Sequence, residues 1–330
     1  MKHQIITIGD AMKDIFIFPA LDEMEKPVLK KNEKMLTFEF GEKISVSDSF
    51  QDIGGTACNV ATGLSKMGIK SAIITTLGKD QEAQEIVERL KKSGVDTAFI
   101  KTNSKKKTSF SIIISYKGER SILVFHSFTP EDFVLPANLF TEWVYVGPLG
   151  KDYKHLYAKL VTMAAEKNIN IALNPGSIQI KDGLMAFGGL LSVAKVLFLN
   201  KEEAQDLAGL TGVATIREIF YVLKKTGAET IVITDGKEGA YVSKEEKFFK
   251  IGVYPGHRLE ATGAGDSFAS AFLAGLITGE ELFTCLKWGV INSASVIESY
   301  GAQQGLLNLA TIKKRAYEYK WPASSLQFSK

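Results

Sequence analysis

The sequence predicts a doubly wound α/β fold in which a mostly parallel sheet lies between helices and a small β lid covers one end. Short apolar runs alternate with helical runs along most of the chain, as at residues 71–77 then 80–93, 143–146 then 152–167, and 195–199 then 201–208. Such alternation is typical of parallel strands with helices on both faces. The 330 residues suffice for one large domain, which we place at residues 1–330.

Two early segments interrupt the alternation and predict an antiparallel accessory sheet. Residues 35–40 and 108–125 carry β-branched and aromatic residues with no helix between the runs, and residues 117–119 suit a hairpin turn. We expect residues 14–50 and 105–128 to form a lid over the carboxyl ends of the main strands, where open α/β sheets bind ligands. The tail, residues 321–330, is expected to be peripheral.

Composition argues against several classes of protein. Forty basic and thirty-seven acidic residues give a net charge of +3, too balanced for nucleic acid or an anionic membrane to be the main partner. The two cysteines, Cys58 and Cys285, lie far apart in apolar or small-residue contexts, which predicts reduced, buried thiols and a cytoplasmic location. The first apolar run is too short for a signal peptide, and no run is long enough to span a bilayer.

The most informative motif is a glycine-rich turn that leads from Gly263 through Ala264 and Gly265 to Asp266 and an apolar helix. Glycine adopts backbone angles closed to other residues, so these N–H groups and the helix N-terminus can bind an anion together. A carboxylate beside bound phosphate is electrostatically costly, and its usual use is to accept a proton during phosphoryl transfer. The alternative is that Asp266 only caps the helix. The apolar helix must be buried, which favours a functional site.

Other polar residues follow predicted strands. No Gly-x-x-x-x-Gly-Lys-Ser/Thr loop occurs, and no Gly-x-Gly-x-x-Gly follows the first strand, so the two commonest nucleotide folds are disfavoured. Thr234 ends a buried strand in a turn that an everyday hairpin also explains. Asn200 and Glu203 follow another strand, where an Asn cap with acidic first-turn residues is a sufficient explanation.

Two N-terminal patches are candidates for binding hydroxyl groups. Asp10 and Asp14 follow the first strand, and two carboxylates there suit vicinal hydroxyls, although a surface turn is an alternative for Asp10. The paired Gly54 and Gly55 permit close approach of a ligand to the backbone, and Asn59 offers a donor and an acceptor at a helix start.

Two stretches in this order, residues 53–61 and 260–268, resemble the N-terminal and C-terminal signatures of the ribokinase-like, or PfkB, carbohydrate kinase family. The resemblance covers essentially the whole chain, including the lid insertions. It implies a ribokinase-like three-layer fold. It also implies an ATP-dependent kinase that transfers the γ-phosphoryl group to a hydroxymethyl group of a small sugar or sugar-like acceptor, with ATP and Mg²⁺.

The resemblance further implies roles for single residues. Asp266 is the expected catalytic base, and the amides of Gly263, Ala264 and Gly265 form the anion hole. Asn200 and Glu203 are expected to support Mg²⁺, mostly through water. The expected nucleotide contacts are Asn200, Glu203, Thr234, Gly236, Gly239, Thr262 and Asn292. The expected acceptor contacts are Asp10, Asp14, Gly54, Gly55 and Asn59.

Departures from the family pattern leave the acceptor open. Ribokinases have Lys where this chain has Thr56, and a Glu near the position of Gly147, so these departures argue against ribose; the missing Lys also argues against phosphosugars. Adenosine-type kinases have a small hydroxyl residue at the position of Thr56, so a nucleoside kinase is the alternative. A non-catalytic sugar- or nucleotide-binding regulator is a third reading, disfavoured by Asp266. Glu260 replaces an Asp of the monovalent-cation loop, so K⁺ binding stays open, as does a homodimer through the lid.

Overall fold

A computed structural model of the chain describes residues 3–20, 40–41, 43–116, 119–137, 139–322 and 326–329. Its strands are β1 (His3–Ile8), β2 (Met12–Pro19), β3 (Val46–Gly54), β4 (Ser71–Ile74), β5 (Thr76–Leu77), β6 (Lys101–Thr102), β7 (Phe110–Tyr116), β8 (Glu119–Phe125), β9 (Thr141–Val146), β10 (Asn170–Leu173), β11 (Ala194–Asn200), β12 (Thr230–Thr234), β13 (Ala240–Lys244), β14 (Lys247–Ile251) and β15 (Leu326–Ser329). Its helices are α1 (Thr56–Lys66), α2 (Gln81–Lys92), α3 (Lys154–Lys167), α4 (Ser177–Asp182), α5 (Leu184–Leu191), α6 (Lys201–Leu207), α7 (Ile216–Leu223), α8 (Ala264–Ile277), α9 (Leu282–Val296) and α10 (Leu309–Glu318).

Nine strands form the main sheet, in the order β15-β14-β13-β12-β11-β10-β9-β1-β4. Neighbouring strands are parallel from β4 to β12, whereas β13, β14 and β15 are added antiparallel at one edge. The predicted mostly parallel α/β sheet is therefore confirmed. The carboxyl ends of its parallel strands share one edge, which is where such sheets bind ligands.

Alternate residues of the central strands face opposite helical layers. In β9, Val144 and Val146 belong to the core beneath α3, α5, α6 and α7. Trp143 and Tyr145 belong to the core beneath α1, α8, α9 and α10. Successive side chains of a strand point to opposite faces, so apolar residues at both positions bury the sheet between two helical layers.

Local signals set where several helices begin. The carboxylate of Asp80 accepts a hydrogen bond from the backbone N–H of Ala83 (3.0 Å) and so caps α2 within the predicted helical run. Helix α8, in contrast, has Gly263 at its N-cap position and no side-chain cap. Because a side-chain cap would occupy the first N–H groups of a helix, the uncapped start of α8 leaves these donors available for a ligand.

A second, small sheet has four strands in the order β3-β2-β7-β8. Strands β7 and β8 form the antiparallel hairpin that residues 117–119 predict, and β2 pairs parallel with β7 and antiparallel with β3. The sheet extends beyond the predicted lid segments, because β2 begins before residue 14 and β3 continues past residue 50. Of the strand predicted at 35–40, residues 35–39 lie outside the described residues, and Phe40 lies in a turn.

The prediction that the C-terminal tail is peripheral was wrong. Strand β15 pairs antiparallel with β14 and extends the main sheet. Ahead of it, the rings of Tyr319 and Trp321 pack against Tyr254, at centroid distances of 4.9 and 6.3 Å. The tail therefore supports the loop that carries Tyr254, because aromatic contacts of this kind hold their partners in place.

The two cysteines are free and buried, as predicted. Burial raises the pKa of Cys58 to about 12, so this thiol is protonated near neutral pH. Across the residues that the structure describes, helices of the length and apolarity needed to cross a bilayer are absent.

Candidate active site

Two cavities meet at the turn that precedes α8. The first, which we call the lid cavity, has a volume of about 210 Å³ and lies between the small sheet, α1 and this turn. The second, the helix cavity, has a volume of about 150 Å³ and lies against α8 and α9. Thr262, Gly263 and Asp266 line the lid cavity, whereas Ala264 and Gly265 line the helix cavity. The five residues 262–266, which comprise the end of this turn and the first three residues of α8, therefore lie between the two cavities.

The backbone of this turn is shaped to receive an anion. Gly263 has a φ of 77°, and a Cβ atom there would lie 2.5 Å from the Cβ of Ala302, so only glycine fits. Within the described part of the chain, the backbone N–H groups of Gly265 and Asp266 have no hydrogen-bond acceptor. Two free N–H groups at the positive end of a helix form a favourable site for negative charge.

Asp266 is the third residue of α8 and does not cap it. Its Oδ2 accepts a hydrogen bond from Nδ2 of Asn59 (2.7 Å), and the Thr56 hydroxyl also bonds to the carboxylate. The helix-cap alternative is therefore wrong for this residue. Burial raises the pKa of Asp266, and the hydrogen bonds from Asn59 and Thr56 oppose that rise. A carboxylate whose pKa is raised, and which hydrogen bonds still hold in place, suits the role of a general base.

Asn59 is itself held in place by a residue that the sequence did not single out. The side-chain amide of Gln303 donates to Oδ1 of Asn59 (2.9 Å), and both residues are buried. Because Oδ1 of Asn59 is occupied in this way, its Nδ2 is directed at Asp266. Gln303 lies 244 positions away in the chain, so no local pattern indicates this contact.

The two N-terminal carboxylates both line the lid cavity. Asp14 is buried, and its Oδ1 accepts a hydrogen bond from the Ser111 hydroxyl (2.5 Å). Burial raises its pKa from 3.8 to about 6, and the nearby carboxylates of Asp52, Asp266 and Glu260 add to this effect. Asp10 lies 3.0 Å from Nδ1 of His126. The structure thus brings Asp10 and Asp14 together with Asn59 and Asp266.

The paired glycines serve these carboxylates by leaving space. A Cβ atom at Gly54 would collide with the carboxylate of Asp14. Gly55 has a φ of 93°, and a Cβ atom there would collide with the carbonyl of Asp10. Gly55 lines the lid cavity; Gly54 is not among the residues that form its wall. The role of Gly54 is therefore to admit the Asp14 side chain.

The lid side of the cavity is lined by residues that sequence reasoning missed. Ile122 and Val124 of β8 and the following His126 all face the cavity, as expected for alternate positions of one strand. Arg120, at the next alternate position, places its guanidinium 3.5 Å from Oε1 of Glu260. The period of two along residues 120–126 was the available signal. The sequence did not show that this face would turn inward.

Glu260 fixes the turn from below. It is buried, and its Oε1 accepts hydrogen bonds from the backbone N–H (2.9 Å) and the hydroxyl (2.8 Å) of Thr262. Its Oε2 is buried without a hydrogen-bond partner among the described residues. The Arg120 pair therefore links the small sheet to the segment that shapes the turn before α8.

The helix cavity contains three of the seven residues predicted to contact a nucleotide, whereas Thr262 lines the lid cavity. Thr234, Gly236 and Gly239 line the helix cavity, and a Cβ atom at Gly239 would collide with the carbonyl of Ile251. Its other walls are mainly apolar or aromatic, from Val253, Tyr254, Phe268, Val290 and Ile297. A narrow apolar slot with a few polar groups suits a planar ring system.

Asn292 does not lie in this cavity. It is fully buried, its Nδ2 donates to the carbonyl of Ser267 (2.8 Å), and its Oδ1 accepts from the N–H of Leu307 (3.0 Å). The neighbouring Ser293 and Ala294 line the cavity instead. Because both ends of the amide are used internally, Asn292 ties α9 to α8, and we withdraw it as a nucleotide contact.

Asn200 and Glu203 form a capping box at the start of α6. Oδ1 of Asn200 accepts from the N–H of Glu203 (2.8 Å), and Oε2 of Glu203 accepts from the N–H of Asn200 (2.9 Å). Burial is the main cause that raises the pKa of Glu203. Charges on Asp266 and Glu203 both add to the raised pKa of the buried Tyr145, so both carboxylates lie near this tyrosine, although α6 and α8 pack on opposite faces of the sheet. The explanation of Asn200 and Glu203 as a helix cap is therefore correct, and the cap is compatible with an additional role in binding Mg²⁺ through water.

Asp14→Asn is expected to stabilise the free protein at neutral pH. The native carboxyl group keeps its proton up to about pH 6, whereas the unfolded group ionises near 3.8, so stability falls as the pH rises from 4 to 6 and stays lower above. The variant lacks this loss, and its Tm at pH 8 should exceed that of the wild type by about 2–4 °C. Differential scanning calorimetry at pH 5 and pH 8 measures the gap, and an equal gap at both values would contradict the assignment.

Comparisons with known proteins agree with this fold. The chain matches the pfkB family of carbohydrate kinases over residues 18–308. A 5-dehydro-2-deoxygluconokinase from Bacillus licheniformis is 24% identical over 279 residues, which cover 79% of this chain and 86% of the relative. The structure of Arabidopsis thaliana ribokinase complexed with ribose and ATP has a TM-score of 0.80 at 19% identity and covers 97% of this chain and 100% of that one.

A nucleoside kinase from Burkholderia thailandensis, solved in complex with inosine, shares the fold equally well. Its TM-score is 0.77 at 18% identity, with 96% of this chain and 100% of that chain covered. At such identities the structural likeness establishes the fold, and the family match carries the assignment. Because that match runs from the small sheet through the turn before α8, the chain belongs to the pfkB family of carbohydrate kinases.

Proposed function

We propose that the protein is an ATP-dependent kinase that phosphorylates a hydroxymethyl group of a small sugar or sugar-like acceptor. The carrying observation is that five consecutive residues, 262–266, contribute to the walls of both cavities, with Thr262, Gly263 and Asp266 on one side and Ala264 and Gly265 on the other. An acceptor in the lid cavity and ATP in the helix cavity would meet at a turn that holds free N–H groups and a carboxylate. Phosphoryl transfer depends mainly on such positioning and charge stabilisation.

The chemistry assigned to the chain is a direct in-line transfer. Asp266 accepts the proton of the acceptor hydroxyl, the hydroxyl oxygen bonds to the γ-phosphorus, and the bond to the β-phosphate oxygen breaks, which releases ADP. The N–H groups of Gly265 and Asp266 stabilise the negative charge on the transferring group. Asn59 holds the Asp266 carboxylate in position, and Asp14 orients the acceptor hydroxyls.

The residues that end β11 fit a role on the metal side. Mg²⁺ prefers hard oxygen ligands and retains several waters, and it neutralises phosphate charge when bound. Asn200 and Glu203 carry such oxygens at the carboxyl end of the sheet, and their capping box fixes their orientation. We assign them to Mg²⁺ through water.

The unpaired Oε2 of Glu260 is the oxygen that we assign to a K⁺ ion. Comparing the reaction rates in potassium chloride and in tetramethylammonium chloride tests this assignment.

The small sheet is assigned as the lid. Its strand β8 lies over the acceptor cavity and contacts the main domain through the Arg120–Glu260 and His126–Asp10 pairs. Closure would exclude water that could otherwise accept the phosphoryl group.

The outward residues Leu123 and Phe125 of β8 are 59% and 44% exposed, which supports a homodimer through the lid. Light scattering of a Leu123→Lys variant tests that assembly.

A nucleoside kinase is the second candidate, and a specific feature favours it. Ile113, Ile122 and Val124 give the lid cavity an apolar wall beside its carboxylates. An apolar wall suits the base of a nucleoside, while the carboxylates suit its ribose hydroxyls.

We also propose a cytoplasmic location for the protein, because its two cysteines are buried free thiols.

Acceptor-dependent ADP release tests the proposed function. Unphosphorylated sugars and nucleosides are each mixed with ATP, Mg²⁺ and the protein, and ADP is measured with a coupled assay. We expect at least one compound to stimulate ADP release well above the acceptor-free rate. ATP binding by calorimetry without stimulation by any compound would favour a non-catalytic regulator.

Gly265→Val is expected to lower turnover by tenfold or more. For comparison, removing one anion-hole donor typically lowers kcat by about 10²–10³. A Cβ atom at Gly265 meets no atom within 4 Å, so the variant should fold, but its side chain would project into the space assigned to phosphate. The kinetics of ADP release measure the effect. Gly188→Val is the matched control, because its Cβ atom also meets nothing within 4 Å and it lies on α5. Normal kinetics in a folded Gly265→Val protein would place the phosphate elsewhere.

A further inference from the structure

Three carboxylates line the lid cavity. Asp10, Asp14 and Asp266 all line it, and they come from β1–β2, β2 and α8. Of the described residues that line the cavity, none is Arg or Lys. A ligand in this cavity would therefore meet carboxylates on several sides.

Three described basic side chains of β2, α2 and β8 are paired with other groups. Lys13 is directed away from the cavity and pairs with Glu85 on α2 (2.5 Å). Arg89 pairs with the buried Asp52 (2.5 Å), and Arg120 pairs with Glu260 (3.5 Å). These cations are committed to carboxylates of the protein, so they are not positioned to bind an anionic group of a ligand.

Among the described residues of the cavity wall, His126 is the one ionisable group that can donate a hydrogen bond as a cation. Its Nδ1 lies 3.0 Å from Oδ2 of Asp10, and half of its side chain is exposed. This contact fixes the ring orientation, so Nε2 is the nitrogen left for a ligand. Asp10 also raises the pKa of His126, chiefly through this hydrogen bond. His126 comes from the lid side, opposite Asp266.

Apolar residues occupy the positions of β8 that precede His126. Ile122 and Val124 line the cavity, with Met12 and Ile113 beside them. A bound molecule would therefore have one side against carboxylates and one against hydrocarbon. Hydroxyl groups donate well to carboxylates, whereas an anionic group would be repelled by them and could not be solvated by the apolar strip.

We propose that the acceptor of this kinase is an uncharged, hydroxyl-rich molecule and that His126, oriented by Asp10, is a residue that selects it. This inference rests on the kinase function proposed above. The shared chemistry is that of an unphosphorylated sugar or a nucleoside. A sugar acid or sugar phosphate is rejected because its anionic group would face Asp10 and Asp14 without a free Arg or Lys in the described wall.

Matched pairs of compounds test the charge rule. The wild-type protein is assayed for ADP release with glucose and gluconate, fructose and fructose 6-phosphate, and adenosine and AMP. The neutral member of any pair that is turned over should have a kcat/KM at least about tenfold higher, which corresponds to one modest interaction. The sugar and nucleoside pairs show which source of hydroxyls the protein uses.

Substitutions at the lid test the role of His126. His126→Ala should raise the KM of the neutral acceptor about tenfold and leave the KM of ATP within about twofold, because only the acceptor contact is lost. His126→Gln should restore part of the loss, since its amide can still donate. His155→Ala is the control, because this exposed histidine of α3 lines a separate cavity near Pro130 and Asp152. Val124→Lys should shift selectivity about tenfold or more toward the charged compounds.

The outcomes separate this inference from the proposed function. Preferred turnover of the charged compounds, or a His126→Ala variant with unchanged acceptor KM, would overturn the inference and leave the kinase function standing. Thermal-shift binding of a neutral compound that His126→Ala removes, without ADP release from any compound, would support the inference and reject the kinase. Neither turnover nor binding of any of the six compounds would reject both.

Discussion

Asp266→Asn is expected to lower kcat by about 10²–10⁴, the usual cost of losing a positioned general base. The amide is nearly the same shape as the carboxylate, and its oxygen can still accept the hydrogen bond from Asn59, so the fold should be preserved. The amide cannot take the proton of the attacking hydroxyl. Steady-state ADP release gives kcat, and calorimetric titration shows whether ATP affinity is retained.

The pH profile adds a second readout for Asp266. Because its pKa is raised, the wild-type kcat should fall on the acid side as the pH drops through that value. The residual rate of the variant should lack this limb. Asp48→Asn, at an exposed position of β3, controls for the loss of one carboxylate. A variant with unchanged kcat would reduce Asp266 to a structural residue.

Asp14→Ala is expected to raise the KM of the acceptor by about 10–100-fold, since a hydrogen bond to an ionised carboxylate contributes about 1.5–3 kcal/mol. The KM of ATP should change little, because Asp14 lines the lid cavity and not the helix cavity. The rise in the KM of the acceptor should be accompanied by some loss of kcat, because a loosely held acceptor is aligned less often with the phosphoryl group. Initial rates with each substrate varied in turn measure both constants.

The opposite pattern would show that the two cavities are assigned the wrong way round. In that case Asp14→Ala would lose affinity for ATP and keep normal acceptor kinetics. Asp14→Asn is a useful companion, because the amide retains the shape and removes the charge. It should be more stable than the wild type near neutral pH and still bind the acceptor more weakly, which separates function from folding.

The parts of the site that the sequence predicted are those that act through local backbone geometry. Gly263 requires a positive φ, Gly55 requires another, and Asp266 follows a glycine turn at a helix start. Each of these requirements involves only a few neighbouring residues, so the motif carries it. The mostly parallel sheet was predicted for a similar reason, since strand and helix periods are local properties.

The errors have a common cause in long-range packing. Asn292 was expected to contact a nucleotide, but the packing of α9 on α8 buries its amide between Ser267 and Leu307. The tail was expected to be peripheral, but β15 pairs with β14. Polar residues on small-residue helices can face a cavity or a helix interface, and the sequence period does not distinguish these environments.

The sequence by itself determined the fold class, the family and the position of the glycine turn at the start of α8, because these depend on residues close together in the chain. The tertiary structure alone decided which side chains from distant parts of the chain meet at the candidate site. Asn59 reaches Asp266 over 207 positions, and His126 reaches Asp10 from the lid. Such contacts are set by how α1 packs on α8 and how β8 lies over the main sheet. Hydrophobic patterning specifies that these surfaces are buried, but it does not specify the polar partners that burial brings together.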